Sequence, residues 1–275
     1  MSHALLLLHE LSFFTHQAMD HSPLFLPRTT ISIEAGYGPS TIVHGLFFTF
    51  APMSINLPAY QQVQATLQPY GARLVAVSKI KPVADIQALY NAGQRAFGEN
   101  YVQELVQKQP ELPSDIEWHF IGHLQSNKVK YIAPFVSMIH AVDSFKLLQE
   151  ISKQAAKNNR SIDCLLQMHI AEEETKFGLD AAELEALLQQ WQQQALPNIR
   201  ITGLMGMATN TDNEALILKE FQQLKALHTR IKEQYFPDQD YFRELSIGMS
   251  GDYLLALQAG STLVRIGSLL FGARG

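Results

Sequence analysis

Arg73-Leu-Val-Ala-Val-Ser78 followed by Lys79 is the stretch that decides the fold. Leu74 to Val77 are consecutive apolar residues, β-prone and too short a run for a helix, so the segment reads as a strand. Pro82 follows three residues after the lysine and opens a helical pattern. Lys79 therefore stands at the C-terminal end of a strand, where α/β folds place their chemistry.

Working outward, the same alternation recurs. Strand-like runs fall at 73–78, 95–97, 116–121, 136–141, 162–169, 200–207, 243–247 and 263–266. Helical patterns fall between them, near 83–92, 100–108, 125–132, 144–157, 180–194, 212–234 and 250–259. In the sixth of these, Ile217, Phe221, Leu224 and Ile231 recur at helical spacing, a stripe that faces a core. Eight strands alternating with helices fit a single (β/α)8 barrel of the TIM type better than an open doubly wound sheet.

The bulk composition excludes several classes. With 275 residues, 47% of them hydrophobic, the chain can bury a full core. A net charge of −5 leaves no basic surplus to neutralise phosphates, so nucleic acid is not the expected partner. Cys164 is the single cysteine, which rules out an intrachain disulfide and fits a reducing, cytoplasmic setting. It lies in the apolar run Ile162-Asp-Cys-Leu-Leu-Gln-Met168 and is expected to be a buried core thiol. The apolar residues 4–8 follow no basic side chain and are far too short for a membrane span. Residues 1–52 show no sustained period, and regular patterning begins at Met53. The expectation is a start at Met53, with residues 1–52 an overlong start assignment or a disordered leader, and residues 53–275 the folded barrel.

Two further strand ends carry candidate ligand groups. Ser246-Ile-Gly-Met-Ser-Gly-Asp252 follows the seventh strand, and Val264-Arg-Ile-Gly-Ser268 ends the eighth. Loops at these positions in barrels commonly hold phosphate through backbone N–H groups at helix starts, and Ser250–Gly251 and Gly267–Ser268 are each read as opening a helix. An amine at one strand end and a phosphate-sized donor cluster at another imply a ligand with a carbonyl and a phosphate. Pyridoxal phosphate is the commonest such cofactor. Ser-Gly as a simple helix cap, and Gly267 as a tight turn, remain open at this point. Phe97-Gly-Glu-Asn100 adds Asn100 at the second strand end. His119, inside an apolar strand, reads as a barrel-lining histidine, while His123, Gln125 and Asn127 either line the mouth or cap the next helix. Lys81 lies beyond the strand and is expected to be exposed. No HExxH, P-loop or GxGxxG pattern is present.

Together these segments have a counterpart. Val77-Ser-Lys79 with Pro82, Phe97-Gly-Glu-Asn-Tyr-Val-Gln-Glu104, Trp118-His-Phe-Ile-Gly-His-Leu-Gln-Ser-Asn-Lys128, Gly203-Leu-Met205 and the blocks from Leu245 to Ser268 resemble the pyridoxal phosphate homeostasis proteins, the YggS/PROSC family. The resemblance runs from about residue 55 to Gly275. It implies an alanine racemase N-terminal-type barrel that carries pyridoxal 5′-phosphate covalently. By match, Lys79 is the Schiff-base lysine and Arg265 faces the pyridine nitrogen. Ser250, Gly267 and Ser268 would hold the phosphate, with Ser246, Met249, Gly251 and Asn100 beside it. His169 and Ile247 depart from the usual Asn and Met, which leaves the contact at 169 open.

Arginine at the ring nitrogen cannot accept a proton, so the ring is a poor electron sink. A racemase of this type also draws an acid–base group from a β-rich second domain, which is not expected here. The resemblance therefore implies a non-catalytic, monomeric cofactor carrier. Such a protein would buffer pyridoxal phosphate, serve vitamin B6 and amino- and keto-acid balance, and deliver to apo-enzymes. A weak amino-acid racemase, a class I aldolase-like barrel and an interaction scaffold are the alternatives.

Overall fold

The computed structural model of the protein describes residues 55–173 and 176–272. The expectation for residues 1–52 lies outside the described residues. Eight strands form a closed barrel: β1 (Arg73–Val77), β2 (Ala96–Glu99), β3 (Glu117–Phe120), β4 (Met138–Val142), β5 (Ile162–Met168), β6 (Ile199–Gly206), β7 (Glu244–Met249) and β8 (Leu263–Ile266). All neighbours are parallel, and β8 closes on β1 through Arg73–Leu263 to Ala76–Ile266. Between them run α2 (Val83–Asn91), α3 (Val102–Lys108), α4 (Val129–Ile132), α5 (Phe145–Lys157), α6 (Ala181–Gln193), α7 (Glu214–Tyr235) and α8 (Tyr253–Gln258). Helix α1 (Leu57–Leu67) precedes β1, and the short α9 (Ser268–Phe271) follows β8. This is the expected (β/α)8 barrel.

Local chemistry sets the helix starts. Asn56, Ser144 and Asn213 cap α1, α5 and α7 with side-chain oxygens, and Asp180 with Glu183 forms a reciprocal capping box on α6. Each cap satisfies a backbone N–H that the helix itself leaves unbonded.

The period of two along the strands divides the core. Leu74 and Ala76 of β1 face the helices and join the large apolar layer that surrounds the barrel. Arg73, Val75 and Val77 face inward: Arg73 reaches the bottom, Val75 the apolar middle with Met138, Leu165, Met205 and Leu263, and Val77 the top. Cys164 and the α7 stripe Ile217, Phe221, Leu224 and Ile231 are buried as expected. Gly203 on β6 lies opposite Glu244 of β7, and a Cβ there would fall 1.8 Å from the Glu244 carbonyl oxygen. Only glycine lets those strands approach.

Two helix starts differ from expectation. Helix α8 begins at Tyr253, because Ser250 and Gly251 belong to a turn in which the Asp252 carboxylate accepts the Met249 N–H at 2.5 Å. Residues 126–128 form one 3₁₀ turn before α4. Among the described residues no helix is long and apolar enough to cross a membrane.

Candidate functional site at the C-terminal end of the barrel

A cavity of about 310 Å³ opens at the C-terminal ends of the strands. Lys79, Asn100, Met249, Ser250, Gly251, Arg265, Gly267 and Ser268 all line it, with Val77, Lys81, Ile121, Met207 and Gly272. Residues separated by almost two hundred positions in the chain thus share one wall because β1 and β8 are neighbours. Ser246 is the exception among the residues expected to contact the ligand. It is fully buried behind Arg265, since its position on β7 points into the barrel below the cavity.

Arg265 enters from β8 and is 5% exposed. Its Nη1 donates to the Ser246 carbonyl and to Ser246 Oγ, both at 2.7 Å, and Nη2 donates to the Gly206 carbonyl at 3.1 Å. These bonds engage part of the five-donor fork and leave the rest for a ligand acceptor. Burial lowers its pKa to about 10, so the guanidinium stays cationic at neutral pH.

Behind Ser246 the polar chain continues. Ser246 Oγ lies 3.0 Å from His140 Nδ1, and His140 Nε2 lies 2.9 Å from His119 Nδ1. Ser246 accepts from Arg265, so its hydroxyl proton is directed at His140 Nδ1; His140 then donates from Nε2 to His119. That assignment leaves the proton of His119 on Nε2. Desolvation holds His119 down to about 3, and it drives His140 well below the ordinary imidazole range. Both rings are neutral.

The loops after β7 and β8 are tied together by the Gly267 N–H, which donates to Ser250 Oγ at 3.3 Å. Gly248, the penultimate residue of β7, has φ +89, and a Cβ there would meet the Ala256 Cβ at 2.5 Å. Lys79, Lys81 and Arg265 line the cavity, and no carboxylate lines it among the described residues. The wall therefore suits an anion that also carries a group for an amine. Asn100 adds a buried side-chain oxygen with no partner among the described residues, so an acceptor on this wall awaits a donor.

Several residues differ from expectation. Lys81 is half-buried, because its Nζ donates to the Phe271 carbonyl at 2.8 Å and brings the stem along the cavity wall. His123 contacts Asp143 at 3.4 Å and stacks on Phe177, away from the wall. His169, whose contact the sequence left open, meets the Glu173 carbonyl at 2.9 Å and braces the loop after β5. Met207 and Ile121 were not singled out, since a lining methionine or isoleucine has no sequence signature. A larger cavity of about 430 Å³ lies at the opposite end of the barrel. Much of its charge is paired internally, Arg73 with Glu244 at 2.7 Å and Arg200 with Asp163 at 2.7 and 3.0 Å, and the residues singled out from the sequence line the smaller C-terminal cavity, which is the better site.

Residues 59–275 match the family described as alanine racemase, N-terminal domain. A pyridoxal phosphate homeostasis protein of Vibrio alginolyticus is 40% identical over 220 residues, covering 78% of this chain and 92% of that one. The chain belongs to the pyridoxal phosphate homeostasis protein family. Within that family, the protein of the same name from Escherichia coli K12 is 37% identical, covering 75% of this chain and 87% of that one. The solved structure of PipY from Synechococcus elongatus PCC7942 with pyridoxal phosphate bound superposes with a TM-score of 0.72 at 38% identity, covering 78% of this chain and 99% of that one. An alanine racemase from Bartonella henselae, 18% identical with a TM-score of 0.56 and 59% of its length covered, shares the fold alone. The family's barrel is thus the alanine racemase N-terminal type.

Proposed function

We propose that this family member binds pyridoxal 5′-phosphate in the C-terminal cavity and carries it, contributing to vitamin B6 and amino- and keto-acid homeostasis without robust catalysis. The observation that carries the reading is the convergence of Lys79, Arg265 and the two loops at Ser250 and Gly267 on one cavity. When bound, the cofactor supplies an aldehyde that condenses with an amine and a pyridine ring that can withdraw electrons. Lys79 would hold the aldehyde through a Schiff base. Ser250, Gly251, Gly267 and Ser268 would hold the phosphate, and Asn100 and Met249 would flank it. Arg265 only donates, so it would hold the ring nitrogen as an acceptor and keep it unprotonated.

The same wall supports a carrier over an enzyme. Racemisation wants proton donors and acceptors on both faces of a substrate. Among the described lining residues there is no histidine, tyrosine or carboxylate, which leaves Lys81 as the one amine besides Lys79. A weak racemase would have to use Lys79 itself as its base, with Lys81 the other amine on the wall. Residues 53–275 are taken as the binding unit, which the family match over 59–275 supports. A monomer in the cytoplasm that passes the cofactor to apo-enzymes completes the reading; the buried free thiol of Cys164 fits a reducing compartment.

The test combines retention with turnover. The protein is mixed with pyridoxal phosphate, freed of excess by gel filtration, and then given amino acids in deuterated water. One equivalent retained per chain without sustained exchange at Cα is expected. No retention contradicts binding, and steady exchange replaces the carrier with the racemase.

A further inference from the structure

The two peptide groups that flank Lys79 are both pinned by side chains of α3. Lys79 occupies the second position of a β-turn in which the Lys81 N–H donates to the Ser78 carbonyl at 3.1 Å. The Ser78 carbonyl, just before Lys79, also accepts from Lys108 Nζ at 2.8 Å. The Ile80 N–H, just after it, donates to Glu104 Oε1 at 2.5 Å. Lys108 Nζ then bonds Glu104 Oε1 at 2.6 Å and Glu99 Oε1 at 2.9 Å, which uses all three ammonium protons and joins the two pins. Glu99 Oε1 also accepts from Ser78 Oγ at 2.6 Å.

This brace holds a conformation the chain would not choose. Ile80 has φ +63, a region that strains a β-branched residue, and the residue is 64% exposed, so packing does not hold it there. The Lys108 and Glu99 side chains are only 8% and 0% exposed. A buried ion cluster beside a strained exposed residue indicates that the cluster supplies the restraint. Desolvation raises the pKa of Glu99, and the charge and hydrogen bond of Lys108 oppose that rise.

We propose that Glu104 and Lys108 are positioning residues that hold the turn in the one conformation that directs Lys79 into the cavity. The inference rests on the reading of Lys79 as the carbonyl-binding amine. Breaking the brace lets Ile80 relax to negative φ and rotates Lys79 away from the site. A glycine at position 80 removes the strain, so the turn then needs the brace less.

The experiment places Glu104→Ala in the native and in the Ile80→Gly background. Two rates are measured: imine formation with pyridoxal phosphate by absorbance, and acetylation of Lys79 by acetic anhydride from peptide mass mapping. The second readout needs no cofactor. Glu104→Ala is expected to slow imine formation about tenfold in the native background and about threefold or less beside Gly at position 80. The acetylation rate should change in the native background and much less in the other. Equal effects in both backgrounds, or none in either, overturn the inference. If Glu104→Ala does not fold, Glu104→Gln takes its place, with the same required difference between backgrounds. Acetylation that behaves as expected in a protein that takes up no pyridoxal phosphate refutes the functional reading and leaves the brace standing.

Discussion

The buried histidine pair makes the barrel sensitive to mild acid. His119 is 2% exposed, and burial lowers its pKa to about 3. In the unfolded chain an imidazole titrates near 6.5. Below that value the unfolded state binds a proton that the native state refuses, so more protons are bound unfolded and stability falls as pH falls. The loss begins near pH 6.5 and continues to about pH 3. At pH 5 the difference between 6.5 and 5 is 1.5 units, which amounts to about 2 kcal/mol for His119 alone. His140 adds a loss of the same sign, because its pKa is depressed by desolvation as well. Urea unfolding at pH 8, 6.5 and 5 measures the effect in wild type and in His119→Gln. Glu99 and Asp252, whose pKa values burial raises, titrate in both proteins and cancel in the comparison. Wild type should lose about 2 kcal/mol more than His119→Gln between pH 8 and 5. Parallel pH profiles would refute the assignment of a neutral, proton-refusing His119.

Other perturbations separate the site from its scaffold. Lys79→Ala should abolish the borohydride-stable adduct with pyridoxal phosphate yet keep a cooperative urea transition, since it removes a cavity amine and no core volume; loss of the transition would count against the site. Arg265→Met should cost about 2–4 kcal/mol in the same unfolding assay, because the buried Ser246 and Gly206 carbonyls lose their charged donor; a neutral result would mean that those carbonyls find other partners. Gly203→Ala should cost about 3 kcal/mol or more, because its Cβ would overlap the Glu244 carbonyl on the adjoining strand; wild-type stability would show that β6 and β7 part readily.

The sequence carried the barrel and most of the lining of its candidate cavity for identifiable reasons. Parallel strands buried between a lumen and a helical layer are short apolar runs, so Leu74–Val77 stood out against the amphipathic helices, and Val264–Ile266 was read as a strand although Arg265 interrupts it. The lining of the candidate cavity was legible because β1 and β8 end in an amine and in polar, glycine-containing loops, and barrel closure brings the two ends together. Ser246 was harder to place. Whether a residue at a strand end faces the cavity or the lumen depends on register, and β7 shifts register between Ser246 and Met249. The pairing of His119 with His140 lies on neighbouring strands and leaves no local pattern. Ile80 left none either, because nothing in Lys79-Ile-Lys-Pro82 announces a positive φ that α3 enforces from outside the turn.

The measurement that bears most directly on the central claim is the absorbance spectrum of the protein mixed with pyridoxal phosphate, followed by borohydride reduction and peptide mass mapping. The account predicts a visible imine band and a pyridoxyl mass on the peptide that contains Lys79. A colourless protein, or a label that resides on other lysines with Lys79 unmodified, would contradict it.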